Sequence, residues 1–132
     1  MTMDSKDPKP KSFRGSFGKS FQFALEGLQH VIKTERNIKI HICIAFLVIL
    51  LSLFFQITTT EWAIVFLVIG MMVVIEIFNT AIENVVDLVT KEYHPLAKIA
   101  KDVAASAALV FACISFIIGV ILFSPYLLNI FK

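Results

Sequence analysis

Hydrophobic positions along the chain follow two different patterns. From Ser16 to Lys33 they recur at Phe17, Phe21, Leu25, Leu28 and Ile32, in steps of three and four that draw one apolar stripe on a helix. Lys19, Gln22, Glu26, Gln29 and Lys33 fill the opposite face, the pattern of an amphipathic helix lying in the headgroup layer of a bilayer. Beyond this segment the apolar residues become continuous. Ile40–Ile57 is interrupted only by His41, Cys43, Ser52 and Gln56, and a helix of that length reaches ~27 Å against a hydrocarbon core of ~30 Å. Trp62 to about Val89 predicts a second helix of about 42 Å, and Val103–Phe123 a third span of 21 residues without a charge. The polar segments "TTTE" and "TKEYHPL" separate the spans, and Pro95 suits a first helical turn because it has no N–H to donate. The expected fold is therefore all-α and integral to a membrane. It has a surface helix over 16–34 and spans over about 38–57, 62–89 and 96–123, forming one domain over 16–132. Residues 1–15 are polar, proline-containing and lysine-rich, and read as a disordered leader rather than a signal peptide, since no apolar run follows directly.

Composition strengthens this picture. Hydrophobic residues make up 58% of the chain and charged ones 17%, and a 132-residue globule could not hide several charge-free helices in its interior. Cys43 and Cys113 lie in apolar runs, with no His/Cys cluster to suggest zinc or a disulfide framework. The net charge is uninformative, but its distribution is not. Eight of the twelve Lys and Arg residues precede Ile40, three more (Lys91, Lys98, Lys101) flank the second connection, and the first connection has none. The positive-inside rule then puts the N-terminus and the Lys91–Lys101 loop in the cytoplasm, with the Thr58–Glu61 turn and the C-terminus outside. No nucleic-acid partner is expected.

The stretch "EIFNTAIENVVD" stands out against this background. Glu76, Asn79, Glu83 and Asp87 are spaced by three, four and four residues, which stacks them on one helical face over ~16 Å. A charge at membrane depth costs at least ~2.5 kcal/mol, so this face must meet protein, water or a cation. Acids of one sign at this spacing repel unless something positive intervenes, and a divalent cation fits. The rival reading is non-enzymatic: a cation-binding membrane oligomer, or a polar seam between helices. Two further clusters lie at the same level. "TERNIKIH" brings Glu35 and Arg36 to the joint between surface helix and first span, and "LAKIAKD" brings Lys98, Lys101 and Asp102 to the start of the third. Carboxylates able to hold Mg²⁺, beside lysines able to hold phosphate oxygens, are the inventory of phosphoryl transfer. Lys98 reads as a membrane anchor, and no GxxxxGK[ST] loop is present. His30 and His41 read as polar-face and interface residues, and Glu26 and Glu61 as solvated acids. Ala104, Ala108 and Ala112 would let the third span approach a neighbour closely. Three helices offer the acid stripe little shielded interior, which points to more than one chain.

"EIFNTAIENVVD" followed by "EYHPLAKIAKD" resembles the signature of the prokaryotic diacylglycerol kinase family, small integral-membrane lipid kinases. The match is ungapped through Glu76–Asp102 and extends loosely over "FALEGL" and "TERN". "ERN…KIH" with "HPLAKIAKD" looks most like the undecaprenol kinase branch of Gram-positive bacteria. The resemblance implies a homotrimer in the bacterial cytoplasmic membrane, with active sites shared between subunits, ATP as donor, Mg²⁺ as cofactor and a lipid alcohol as acceptor. Undecaprenol is the first expectation for that acceptor and diacylglycerol the second. Carried over, Glu76 corresponds to the catalytic base, and Glu35 and Glu83 to the carboxylates that bind the metal carrying the nucleotide phosphates. Asn79, Lys101 and Asp102 match residues near the transferring phosphate and nucleotide. Asp87 matches a supporting acid, Glu92 and His94 match the loop that approaches the nucleotide, and Phe23 falls where an aromatic lies near the base. Physical placement agrees: Glu76 lies deepest, Glu83 nearer water, and Glu35 comes from another segment, able to clamp an ion between helices.

Overall fold

The computed structural model describes residues 17–130; the expected leader lies outside the described residues. Four helices follow in order: α1 (Phe17–Thr34), α2 (Arg36–Phe55), α3 (Thr59–Val89) and α4 (Pro95–Ile130). The described chain is all-helical, and α2, α3 and α4 are each long and apolar enough to cross a membrane.

Helix ends show why the elements stop where they do. Glu35 alone separates α1 from α2, with extended backbone at φ −88° and ψ 129°. α2 stops at Phe55, two residues before the expected end, because Gln56 takes the left-handed conformation at φ 50°. The Gln56 and Ile57 amides then donate to the Leu53 and Ser52 carbonyls, both at 3.3 Å, which satisfies carbonyls the last turn leaves open. α3 starts at Thr59 rather than Trp62, so most of "TTTE" is helix. Thr58 caps it and Glu61 reaches back to the Thr58 amide, forming a capping box. α4 runs past the expected end at Phe123 and passes through Pro125. Pro125 cannot donate to the Ile121 carbonyl; the Ser124 hydroxyl donates to it instead, at 3.3 Å, and the helix continues to Ile130.

α4 packs mainly on α3, α2 packs on α3, and α1 touches both α2 and α3. The packed core sits at the end away from α1. There Ile57, Val65 and Leu122 are buried beneath Phe55, Trp62, Phe123 and Tyr126. Elsewhere most apolar side chains face outward, with Phe46, Leu67 and Phe116 more than half exposed. Apolar surface on this scale needs a lipid or protein cover. One chain buries Glu76 and Asn79 of the stripe, with Thr80 beside them, and leaves Glu83 half-buried and Asp87 exposed. Ala104 is buried and Ala108 and Ala112 are half-buried within the chain itself.

Candidate active site

The carboxylate stripe of α3 divides into a buried and an open half. Glu76 is only 3% exposed, with Asn79 and Thr80 buried beside it. The Thr80 hydroxyl returns to the Glu76 carbonyl at 3.0 Å, a bond within the helix that needs no partner from elsewhere. The Glu76 side chain meets α2: Oε1 lies 3.3 Å from His41 Nε2, an ion-pairing distance. His41 also lines an apolar cleft of about 580 Å³ between α2, α3 and α4, walled by residues such as Ile44, Val68, Met72, Ala112 and Phe116. The cleft therefore ends on the residue that touches the buried acid.

One turn further along, the Asn79 amide donates to Glu83 Oε1 at 3.0 Å. A carboxylate only accepts, so the amide NH₂ must point at Glu83 and the amide oxygen away from it. That oxygen, Asn79 Oδ1, is buried without a hydrogen-bond partner. Buried acceptors without partners are uncommon and mark places where a ligand, ion or water completes the site. Beside the half-buried Glu83, this orphan is a hard oxygen donor of the type Mg²⁺ prefers. Glu35 is half-buried, and as the N-cap of α2 it makes no side-chain capping bond, so its carboxylate is not spent on the helix end. Among the described residues no three His, Cys, Asp or Glu side chains converge on one point. Mg²⁺ usually takes only one or two carboxylates and completes its shell with water and phosphate.

The outer part of the stripe faces a second cavity of about 380 Å³ at the α3–α4 connection. It is lined by Asp87, Glu92, His94, Lys101 and Asp102, together with Lys91, Lys98 and Tyr93. Five of the expected site residues are therefore brought to one place. Lys101 Nζ donates to Asp87 Oδ1 at 2.5 Å, joining α4 to α3, and Lys98 pairs with Asp102 one turn away. The walls carry three lysines and three carboxylates, so the cavity is nominally neutral. A polyanionic guest must either break these pairs or bring its own cation. His94 is held by its function at the start of α4: Nδ1 accepts the Leu96 amide at 3.2 Å, which leaves the Nε2 edge for the cavity. Glu92 and Thr90 bond to each other's backbone and hydroxyl in a tight turn.

Phe23 is 53% exposed on α1. His41 is the site residue the sequence reading missed; the "KIH" triplet offered no signal of its own, because the pairing depends on how α2 crosses α3. Glu61, read as solvated, is instead half-buried and held by the Tyr126 hydroxyl at 2.6 Å.

Known proteins show the family. The family model for prokaryotic diacylglycerol kinase matches residues 22–123. The chain is 47% identical to an undecaprenol kinase of Bacillus subtilis over 95% of this chain and all of that protein. It is 38% identical to a diacylglycerol kinase of Synechocystis over 84% of this chain and 64% of that one. A diacylglycerol kinase of Helicobacter pylori is 34% identical over 94% of this chain and 93% of its own. These matches remove the non-enzymatic reading of the chain. The chain belongs to the prokaryotic diacylglycerol kinase family, enzymes that phosphorylate lipid alcohols in the membrane.

Proposed function

We propose that the protein is an ATP- and Mg²⁺-dependent kinase that transfers the γ-phosphate to the hydroxyl of undecaprenol, giving undecaprenyl phosphate. The observation that carries the reading is the buried Glu76 beside His41, where the apolar cleft ends. A long hydrocarbon chain lying in the cleft would bring its hydroxyl to the one carboxylate withdrawn from water. Held that way, Glu76 lies within reach of the hydroxyl proton. It takes the hydroxyl proton as the acceptor oxygen bonds to the γ-phosphorus; the bond from that phosphorus to the bridging oxygen breaks and ADP leaves.

The remaining residues act by position and charge. Lys101, released from Asp87, and Asp102 face the phosphates from α4, while Glu92 and His94 border the nucleotide from the connection. Glu35 and Glu83, with the Asn79 oxygen beside them, are the donors that would hold Mg²⁺. The ion would neutralise charge building on the phosphate oxygens. Phe23 would close the site from α1 lying along the headgroups. Basic residues at this end favour a cytoplasmic site, where ATP is available. A homotrimer, with neighbours covering the exposed faces of α2 and α4, completes the proposal.

Diacylglycerol is the second reading, favoured by the relatives that act on it. The test is a side-by-side assay of purified protein with both lipids, radiolabelled ATP and Mg²⁺. Faster turnover of undecaprenol is expected; a strong preference for diacylglycerol replaces the first reading with the second.

A further inference from the structure

We infer that His41 is a positioning residue for the base: it fixes the Glu76 carboxylate in the orientation from which it takes the acceptor's proton. The inference rests on the kinase reading with Glu76 as base. Its own support is geometric. Glu76 is a buried acid whose side chain is 4% exposed, and the charged or titratable side chain that meets it is His41, at 3.3 Å from α2. The other titratable groups of the stripe are on its own helix: Glu83 lies seven residues away and Asp87 eleven, or ~10 and ~16 Å along the axis. Glu83 is occupied by the Asn79 amide and Asp87 by Lys101. A glutamate has three rotatable side-chain bonds, and burial alone does not choose among its rotamers. A partner held on a second helix narrows the choice. His41 is suited to that task because α2 holds it: Ile38, one turn earlier, is fully buried, and Ala45, one turn later, is half-buried.

His41 is itself 22% exposed and borders the cleft where the acceptor chain is expected. It could therefore act on the lipid instead of on the base, and the two roles separate kinetically. A residue acting through Glu76 changes kcat and leaves both Michaelis constants, whereas one that binds lipid changes the lipid KM.

The experiment measures kcat and both KM values in purified His41→Leu, His41→Gln and His41→Asn variants, with His30→Leu as an exposed control on α1. His41→Leu is expected to lower kcat by roughly 10- to 100-fold, the scale of an ångström-level misplacement, with ATP and lipid KM within about twofold of wild type. His41→Gln places an amide N–H near the position of Nε2 and should recover most of the loss; His41→Asn falls short and should not. In a Glu76→Asp background, where the carboxylate is already withdrawn, His41→Leu should add little further loss. Wild-type kcat in His41→Leu overturns the inference, as do a lipid KM effect alone, equal activity of the Gln and Asn variants, or additive losses in the Glu76→Asp background. Should His41→Leu fail to assemble, the Gln–Asn contrast decides alone. A well-folded wild type inert towards every lipid alcohol removes the kinase reading and this inference together, while an active wild type with an indifferent His41 removes the inference only.

Discussion

Helix α3 carries one glutamate at its start and another near its middle, and the two are treated differently. Glu61 Oε2 accepts three bonds, from the Thr58 amide at 2.7 Å, the Thr58 hydroxyl at 2.8 Å and the Tyr126 hydroxyl at 2.6 Å. It sits beside the aromatic core in which Phe55 and Tyr126 pack with ring centroids 5.6 Å apart. Glu76 is more deeply buried, yet its carboxylate meets a single imidazole at 3.3 Å, and the neighbouring Asn79 oxygen has no partner at all. Polar groups that are fully bonded hold a structure together. Buried ones left short of partners are tolerated where something else arrives to complete them. On the proposed function, that difference separates a glutamate of the fold from a glutamate of the chemistry.

The largest test of that distinction exchanges the buried acid. Glu76→Gln keeps the shape and removes the proton acceptor, so lipid phosphorylation should fall by roughly 10²- to 10⁴-fold while the oligomer in detergent stays intact. A variant that fell apart, with surviving oligomer fully active, would make Glu76 a structural residue like Glu61. Glu83→Gln should act on the ion and nucleotide together, raising the Mg²⁺ concentration for half-maximal rate and the ATP KM by at least ~10-fold. An unchanged Mg²⁺ titration would remove Glu83 from that role.

The same contrast explains what could be read in advance. The three spans were legible because hydropathy over twenty residues is a property of the chain alone, and the face shared by Glu76, Asn79, Glu83 and Asp87 follows from helical periodicity. Errors arose where a second segment decides. The capping box at Thr58 and Glu61 was visible as T-x-x-E, but the apolar run beginning at Trp62 drew the helix start three residues late. Tyr126 reaches Glu61 across 65 residues of sequence, a distance at which no local pattern speaks. His41 looked like an interface histidine, since its meeting with Glu76 is set by the crossing of α2 and α3. The third span was expected to end at Phe123, yet it continues through Pro125, where the Ser124 hydroxyl satisfies the freed Ile121 carbonyl.

At the packed end, effects should appear in stability rather than rate. Thr58→Ala removes both the hydroxyl that donates to Glu61 and the acceptor for the Glu61 amide. Loss of such a cap costs about 1 kcal/mol. Thermal unfolding in detergent should register it as a lower midpoint, with kcat unchanged once the protein is folded.

Tyr126→Phe is the mildest probe and the one that sharpens the comparison most. It deletes one of three donors to Glu61 and keeps the ring that packs against Phe55 and Leu122. The two Thr58 bonds remain to satisfy the carboxylate, so the unfolding midpoint should fall less than in Thr58→Ala. Phosphorylation kinetics should match wild type, because the hydroxyl lies at the start of α3 and Glu76 fifteen residues, or ~22 Å, along it. The measurement is paired: midpoint and kcat on the same preparation. If kcat changed while the midpoint did not, a bond at the packed end would be governing the open one, and the separation of the two glutamates into structural and chemical roles would be lost.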